Sequence, residues 1–435
     1  MWWRSGRGSV SIARVRFKTI TSPAVMALAF IAFAAGYGQF GAVAALGEVA
    51  TAFGHGIDGH SVAAQAGLSG VVLGGGLAIL RLAALGGVAL AALSDRWGRR
   101  RSLVLWSVVG LGVTVFAAFS PSYWWFVAIF ALGRPFLSAA GAITQVAASE
   151  TESSVHRASA LGIVTAGYGL GAGINALTHS LLHGPSMFRL LFLTTVLPLI
   201  GLLIAGRWVV ESVTTTELAI MKKAGFGHIP HKERSRFATV MVLIFLVSWV
   251  SAPASSFIYL YVENVRHLAH GIESVMIVVA ALTGLSGLLA GRAVADRWGR
   301  RPAVVLGILA IAVMAVVTYS GSTGAAVFGY LAGVFATGWL APGGTAFTNE
   351  LFSTEVRAVA AGWGIAAGVL GAAGSLMSFG AIEQAASSFL IAALGSSVLG
   401  LVAVAVAMCL PETRGISLVG TLGSMVGQAN RPEYL

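Results

Sequence analysis

The chain of 435 residues is 57% hydrophobic and only 10% charged, and its mean hydropathy is +0.86. A soluble domain of this length needs far more charge to cover its surface, so the composition excludes an ordinary soluble protein and indicates a membrane protein. The formal net charge of +11 raises nucleic-acid binding as an alternative, which the distribution of the charges then excludes.

Twelve stretches are apolar and long enough to cross a bilayer core of about 30 Å as helices. The chain is also rich in glycine, with 56 residues, which is typical of membrane helices that pack closely through small side chains. The predicted spans, numbered 1 to 12 in chain order, are 24–48, 66–93, 103–119, 122–148, 158–182, 188–208, 238–262, 273–293, 303–319, 325–348, 358–381 and 386–410.

The first predicted span follows a basic segment, RVRFKTITSP (residues 14–23), as the apolar part of a signal peptide would. Its apolar run exceeds the roughly 15 residues of such a region and lacks a convincing small-x-small cleavage site. We therefore predict a retained first span. The single cysteine, Cys409 in span 12, allows no intrachain disulfide.

The basic residues lie almost entirely on one side of the predicted bundle. With both termini on that side, all of the 27 Lys and Arg residues are there except Arg81, Arg134, Arg189 and Arg266. This asymmetry follows the positive-inside rule, which places the basic side in the cytoplasm. The distribution of charge therefore indicates the membrane topology. It predicts a multi-pass protein of the plasma or inner membrane with both termini cytoplasmic.

One long polar stretch separates six predicted spans from six and divides the chain into five parts. The predicted parts are a cytoplasmic N-terminal segment (1–23), an N-terminal six-helix bundle (24–210), a cytoplasmic linker (211–236), a C-terminal six-helix bundle (237–410) and a cytoplasmic C-terminal tail (411–435).

Two charged motifs occur once in each half, at nearly the same offset. SDRWGRRR (94–101) follows span 2 and ADRWGRRP (295–302) follows span 8, while ETESSVHR (150–157) follows span 4 and ELFSTEVR (350–357) follows span 10. Two motifs in register indicate a duplicated six-helix unit. A parallel repeat about an axis along the membrane normal is a transporter design with a central site between the halves.

The D-R-x-G-R-R blocks after spans 2 and 8 resemble the loop signature of the major facilitator superfamily. Glu-x6-Arg after spans 4 and 10, and PETRGISL (411–418), resemble its sugar-porter and organic-acid symporter branches. The resemblance covers nearly the whole chain. It implies an all-α membrane protein with 12 transmembrane helices in two six-helix bundles related by pseudo-two-fold symmetry.

The same resemblance implies an inner-face gating network of charges that joins helices within and between the halves. Exposed ion pairs contribute about 0–1 kcal/mol each, so several weak pairs suit a reversible closure. Asp95 is also expected to accept from free N–H groups at the start of span 3. The alternative is that the charges only anchor helix ends. The implied network comprises Asp95, Arg99, Glu150, Arg157, Asp296, Arg300, Glu350, Arg357, Glu412 and Arg414.

Polar side chains inside the spans are costly to bury and usually functional. Gln39, Arg81, Arg134 and Trp249 all lie about 20–24 Å along their helices from the basic side, at 1.5 Å per residue, and so share one depth. Arg134 is similar to the span 4 arginine of a family motif, R-x-x-x-G. The predicted substrate-binding residues are Gln39, Arg81, Arg134, Tyr168, Asn175 and Trp249, each with helix packing as its alternative role.

No Asp or Glu lies at mid-depth in a predicted span. Span 1 resembles the D-G-Y-D stretch of aromatic-acid proton symporters, but Ala35 and Gly38 stand at the carboxylate positions. The candidates for proton coupling are therefore Glu48 and His179, both toward the outer side, and uniport, exchange or a proton carried on the substrate stay open. Two mid-depth arginines without carboxylates create a positive potential, which favours an anionic substrate.

These features predict a secondary active transporter that moves a small solute by alternating access, with an organic anion as the expected substrate. The alternatives are a multidrug or metabolite efflux transporter, and a transporter-like sensor or scaffold without transport. We predict no enzyme, metal or cofactor, because no nucleophile, base or metal-ligand set converges in a span. The expected partners are a small-molecule substrate and the lipid bilayer, and the expected state is a monomer.

Overall fold

The computed structural model describes residues 22–54, 67–151, 157–182, 186–209, 231–268, 270–352 and 354–414. These residues form helices and no β-strand, and twelve helices are long and apolar enough to cross a membrane. The predicted all-α fold with twelve spans is confirmed. The observed spans are Pro23–Ala44, Gly70–Ser94, Arg99–Phe119, Tyr123–Ala148, Ala160–Leu181, Phe188–Trp208, Glu233–Val265, Val275–Arg297, Arg300–Thr318, Thr323–Thr348, Val359–Ala386 and Phe389–Cys409.

The helices continue beyond the apolar stretches on the side that carries residues 94–101 and 295–302, which we call the basic face. The helix of span 8 runs from His270 to Arg297, and that of span 3 begins at Arg99. Backbone hydrogen bonds in a helix need no apolar side chains, and arginine stems can lie along apolar surface while their charged ends reach water. We call the opposite end of the bundle the far face.

A glycine makes the turn between spans 2 and 3, in the cap position before span 3. Asp95 lies inside the helix Gly86–Trp97, at the end of span 2. Its side chain lies outside the described residues, so its expected contact with the N–H groups of span 3 stays a prediction. That cap position is occupied by Gly98, whose φ of 92° is a backbone conformation that glycine adopts without steric cost. The loop glycine therefore provides the positive φ that this turn requires.

The duplicated loop shows where the helix-capping carboxylate comes from. Gly299, with φ of 121°, precedes span 9. The N–H groups of Arg300 and Arg301 donate to the two carboxylate oxygens of Glu412, at 2.8 and 3.0 Å. A carboxylate at this end of a helix satisfies free donors and interacts favourably with the helix dipole. At span 9 the segment after span 12 supplies the carboxylate.

The internal repeat is visible in how helices approach each other. In the first half, a Cβ on Gly171 of span 5 would overlap the carbonyl of Phe33 in span 1. In the second half, a Cβ on Gly371 of span 11 would overlap the carbonyl of Phe245 in span 7. Each contact requires glycine because the two backbones touch. The equivalent pairs, spans 1 and 5 and spans 7 and 11, are thus packed in the same way.

The hydrophobic core is continuous near the far face and divided toward the basic face. Near the far face one cluster contains residues of both halves, and the rings of Phe40 and Tyr259 meet edge to face at 5.7 Å. Toward the basic face, one cluster contains only first-half residues and another contains only second-half residues. Across the halves, span 2 packs against span 11 and span 5 packs against span 8. The two halves therefore meet at one end and separate at the other.

Candidate functional site

A cavity of about 830 Å³ lies where the core divides. It extends from Phe352, near the basic face, to Ser255 and Ala372 at mid-depth. Spans 7, 10 and 11 of the second half form most of its wall. Among the described residues that line it, Arg81 of span 2 is the one charged side chain. The cavity is thus directed toward the basic face and has a cation at its deep end.

The second-half wall of the cavity carries hydroxyl groups between its apolar side chains. Ser255 donates to the carbonyl of Ser251 at 3.3 Å, and Thr345 donates to the carbonyl of Ala341 at 2.8 Å. A hydroxyl has one donor and two acceptor lone pairs. Since the protons of such hydroxyls are used within the helices, these groups offer acceptors to the cavity. Hydroxyls of this wall belong to Ser248, Ser251, Ser255, Thr337, Thr345 and Thr348.

Four of the predicted substrate-binding residues lie together at mid-depth. Arg134 Nη1 donates to the backbone carbonyl of Gln39 at 3.2 Å, and the Tyr168 hydroxyl donates to Gln39 Oε1 at 3.4 Å. Arg81 and Arg134 both lie close to Tyr168. Spans 1, 2, 4 and 5 thus bring two cations and two neutral polar groups to one place.

The other two predicted residues lie in helix interfaces. Asn175 is buried, and its side chain faces Gly41 of span 1. The Trp249 ring lies over Gly374 of span 11, with its centroid 5.6 Å from that of Phe245. Trp249 is not among the described residues that line the cavity. In this conformation both side chains pack between helices.

Spans 2 and 11 close the far face by direct backbone contact. A Cβ on Gly74 would overlap the carbonyl of Leu376, and one on Gly70 would overlap that of Gly380. The backbone N–H of Val71 also donates to Gln384 Oε1 at 3.2 Å. These contacts join the two halves, so they must break if the far face is to open.

The two residues predicted for proton coupling come together at the far face with a third. His179 Nε2 lies 3.7 Å from Glu48 Oε1, and His179 Nδ1 lies 3.5 Å from Glu263 Oε1. Glu263 was not among the residues predicted from the sequence, because the predicted span 7 ends at residue 262. A carboxylate directly after a span, on the same side as Glu48, is the signal that could have identified it.

A break in span 7 positions Glu263. Pro253 lies inside the helix His231–Ser256, and the chain continues as a short helix, Ile258–Leu260, and a π-helix, Tyr261–Val265. Proline lacks the N–H that would bond to the carbonyl four residues earlier, which weakens the helix at this point. The Tyr319 hydroxyl donates to the carbonyl of Pro253 at 3.1 Å. The end of span 7 is therefore held in place by span 9.

At the basic face, charged residues of the second half form a connected network. Arg300 Nη1 lies 2.6 Å from Asp296 Oδ1, and Arg300 Nε lies 3.5 Å from Glu350 Oε1. The Thr413 hydroxyl donates to Glu350 Oε2 at 2.6 Å. With Glu412 at the start of span 9, the network ties the ends of spans 8, 9 and 10 to the segment after span 12.

Burial alone would raise the pKa of Glu412. The backbone N–H groups of Arg414, Arg300, Arg301 and Thr413 outweigh this effect and hold its pKa below the usual value. Arg414 thus takes part through its N–H, at 2.9 Å from Glu412 Oε1.

For the other predicted members of this network, the structure describes the helix positions but only some of the side chains. Arg99 is half-buried at the start of span 3, where the neighbouring Arg100 donates to the carbonyl of Arg207 at 3.4 Å. Four members lie in helices at the basic face, but their side chains lie outside the described residues: Asp95, Glu150, Arg157 and Arg357.

Twelve spans in two halves, a cavity between them with a cation at its deep end, and closure at the opposite face define a membrane transport protein. The chain belongs to the Major Facilitator Superfamily, whose family model matches residues 28–375. It is a secondary transporter that works by alternating access. The family and the two-bundle fold that the sequence motifs predicted are thereby confirmed.

One curated relative and two solved structures illustrate the similarity. A probable 4-methylmuconolactone transporter from Cupriavidus pinatubonensis (strain JMP 134 / LMG 1197) is 28% identical over 360 residues, covering 79% of this chain and 82% of the relative. The E. coli xylose transporter, partially occluded and inward-open, has a TM-score of 0.72 at 17% identity over 91% of this chain and 99% of that one. The human organic anion transporter has a TM-score of 0.61 at 14% identity, covering 88% and 99%. The two structures share the fold.

Proposed function

We propose that this transporter carries a small organic anion and that Arg81 binds the anionic group. The observation that carries the proposal is that Arg81 is the one charged side chain among the described residues lining the cavity. A guanidinium presents a planar set of donors that fits a carboxylate with two parallel hydrogen bonds. An arginine inside a membrane span is costly to keep, and a bound anion offsets that cost.

The remainder of the cavity suits a compact substrate that is partly polar. Its volume of about 830 Å³ falls in the range of about 300–1,000 Å³ that is usual for small-molecule sites. Apolar side chains of spans 7 and 11 enclose it, and the hydroxyl oxygens of spans 7 and 10 can accept from substrate hydroxyl groups. A relative named as a probable 4-methylmuconolactone transporter also supports a small organic substrate.

Arg134 and Tyr168 support the same site from the first half. Arg134 is held against the Gln39 carbonyl, where it adds positive potential without lining the cavity. Two cations in a low-dielectric cleft concentrate an anion more strongly than one. We therefore assign substrate binding to Arg81 and electrostatic support to Arg134.

The proposal includes an orientation. The basic face lies in the cytoplasm of a plasma or inner membrane, in agreement with the positive-inside rule, and both termini are cytoplasmic. The cavity then opens to the cytoplasm in this conformation. The functional unit is a monomer, with residues 24–210 and 237–410 as its two moving bundles.

The test is transport by purified protein in proteoliposomes. Small carboxylic acids are compared with their neutral methyl esters, and wild type is compared with Arg81→Gln and Arg81→Lys. Loss of a charged hydrogen-bonded partner costs about 1.5–3 kcal/mol, so Arg81→Gln should reduce anion transport at least about tenfold. Arg81→Lys keeps the charge and should retain more activity.

Equal transport of acids and esters, together with full activity of Arg81→Gln, would contradict the anion proposal. Binding without any transport would favour the sensor alternative.

A further inference from the structure

We infer that Glu48, His179 and Glu263 form a proton-binding site whose occupancy holds the far face closed. The inference rests on alternating access and does not depend on the class of substrate. It concerns a cluster that the cavity does not include, and it assigns Glu263 a function that the sequence did not suggest.

The geometry matches a doubly protonated imidazole. One carboxylate faces each ring nitrogen of His179, Glu48 at Nε2 and Glu263 at Nδ1. A neutral imidazole has a single N–H donor and can serve only one of the two carboxylates. Imidazolium has two donors and can serve both. Binding of a proton therefore completes the second contact.

Burial makes the charge state of the cluster matter. The side chain of His179 is 3% exposed, that of Glu48 12% and that of Glu263 9%. Two carboxylates beside a neutral histidine would repel each other with little screening by water. A proton on His179 places positive charge between them and converts repulsion into attraction.

The cluster spans the two halves. Glu48 follows span 1 and His179 lies at the end of span 5, whereas Glu263 belongs to the π-helix at the end of span 7. The halves are in close contact here, because a Cβ on Gly47 would lie 2.7 Å from Glu263 Oε2. Opening of the far face must move Glu263 away from His179.

The direction of the effect follows from this separation. The closed state offers the proton two carboxylates, and the open state offers it only Glu48. The closed state therefore binds the proton more tightly, and by reciprocity the proton stabilises the closed state. Acidification should close the far face and alkalinisation should favour its opening.

Other charged groups at this end include Glu383 of span 11, which is buried and whose Oε2 a Cβ on Gly70 of span 2 would overlap. Arg189 of span 6 donates to the carbonyls of Ala118 and Ser120, on the side of spans 3 and 4. Arg266, which follows Glu263 by three residues, lies close to Tyr261. Span 8, which packs against span 5, carries His270 and Glu273 near this end, and their side chains lie outside the described residues.

The experiment measures the far-face distance as a function of pH, without substrate. Spin labels are attached at Ala52→Cys and Ala385→Cys, which are exposed positions at the far ends of the two halves, in a Cys409→Ser background reconstituted in nanodiscs. Allosteric couplings commonly change an equilibrium by about 5- to 150-fold. We expect the ratio of closed to open far face to fall about tenfold between pH 6 and pH 8, across the ordinary titration range of histidine.

The variants decide whether the cluster is responsible. His179→Gln and Glu263→Gln should each abolish most of the pH dependence, while His267→Asn, an exposed histidine at the same end, should keep it. If His179→Gln fails to fold, Glu263→Gln still tests the inference. A wild-type ratio that does not change with pH, or an unchanged dependence in Glu263→Gln, would overturn the inference. Failure of the anion proposal would leave this measurement unaffected, because no substrate is present.

Discussion

The two ends of the bundle are held together by different kinds of contact. At the far face, spans 2 and 11 touch through backbone at Gly74, and His179 lies between carboxylates of both halves. At the basic face, Arg300 and its carboxylate partners connect helices of the second half only among the described contacts. The far face is joined across the halves, and the basic face is joined within one of them.

The difference shows what each set of residues does in this conformation. Direct backbone contact is short-ranged, so a small rotation of one half removes it completely. Exposed ion pairs are weak and stabilise the ends of helices in one half without fixing its position relative to the other. We therefore expect changes at the far face to alter transport and changes in the second-half network to alter mainly stability.

The largest expected effect comes from a side chain added at the far-face contact. Gly74→Val would place its branches against the carbonyl of Leu376, and overpacking of this kind costs roughly 1–3 kcal/mol. The far face should then fail to close, and transport in proteoliposomes should fall about tenfold or more. The matched control is Gly75→Val, because a Cβ on Gly75 meets no atom within 4 Å.

Both glycine variants change helix propensity and hydrophobicity in the same way. Only the contact with span 11 differs between them. Equal transport by Gly74→Val and Gly75→Val would show that the spans 2 and 11 contact does not limit closure.

A smaller effect is expected at the start of span 9. Glu412→Gln removes the charge that four backbone N–H groups stabilise, and a lost helix cap costs about 1 kcal/mol. We expect the melting temperature at neutral pH to fall by about 1–3 °C, as measured by intrinsic fluorescence. Arg414→Gln keeps the backbone N–H and should change it less.

The pH dependence of this effect has a defined sign. The pKa of Glu412 is lowered in the folded protein, so its stabilising contribution is present above the ordinary carboxyl pKa of about 4.3 and is lost as the pH falls through the lowered value. The difference between wild type and Glu412→Gln should therefore disappear in acid. A difference that persists or grows there would contradict the assigned contacts.

The smallest effect is expected for the exposed ion pair. Asp296 is 58% exposed where it meets Arg300, and such pairs contribute about 0–1 kcal/mol. Asp296→Asn should lower the melting temperature by about 1 °C or less, and the change should shrink further in high salt. A fall in melting temperature as large as that of Glu412→Gln would contradict this expectation. It would mean that the pair stabilises contacts beyond the second half of the molecule.

Hydrophobic length and charge asymmetry were sufficient to predict the spans, because the bilayer sets a minimum apolar length and the loops carry the basic residues. The in-register motifs were sufficient to predict the duplication and the family. Arg81 and Arg134 could be placed at one depth because the rise of a helix per residue is fixed.

What the sequence could not predict depends on where helices break and how they rotate. The break after Ser256 brings Glu263 beside His179, and no periodicity in span 7 indicates it. The capping carboxylate at span 9 comes from Glu412, more than a hundred residues further along the chain, because the end of span 12 lies beside that loop. Packing of Trp249 over Gly374 likewise depends on helix rotation, which depth alone does not give.

The central claim is that the two halves rock about the substrate cavity, so that one face opens as the other closes. Two pairs of spin labels test it, one at Ala52→Cys and Ala385→Cys on the far face and one at Ala92→Cys and Ala361→Cys on spans 2 and 11 toward the basic face, in separate Cys409→Ser samples. Conditions that raise the fraction of molecules with a long far-face distance should raise the fraction with a short basic-face distance by the same amount. Two distances that lengthen together, or that change independently of each other, would contradict it.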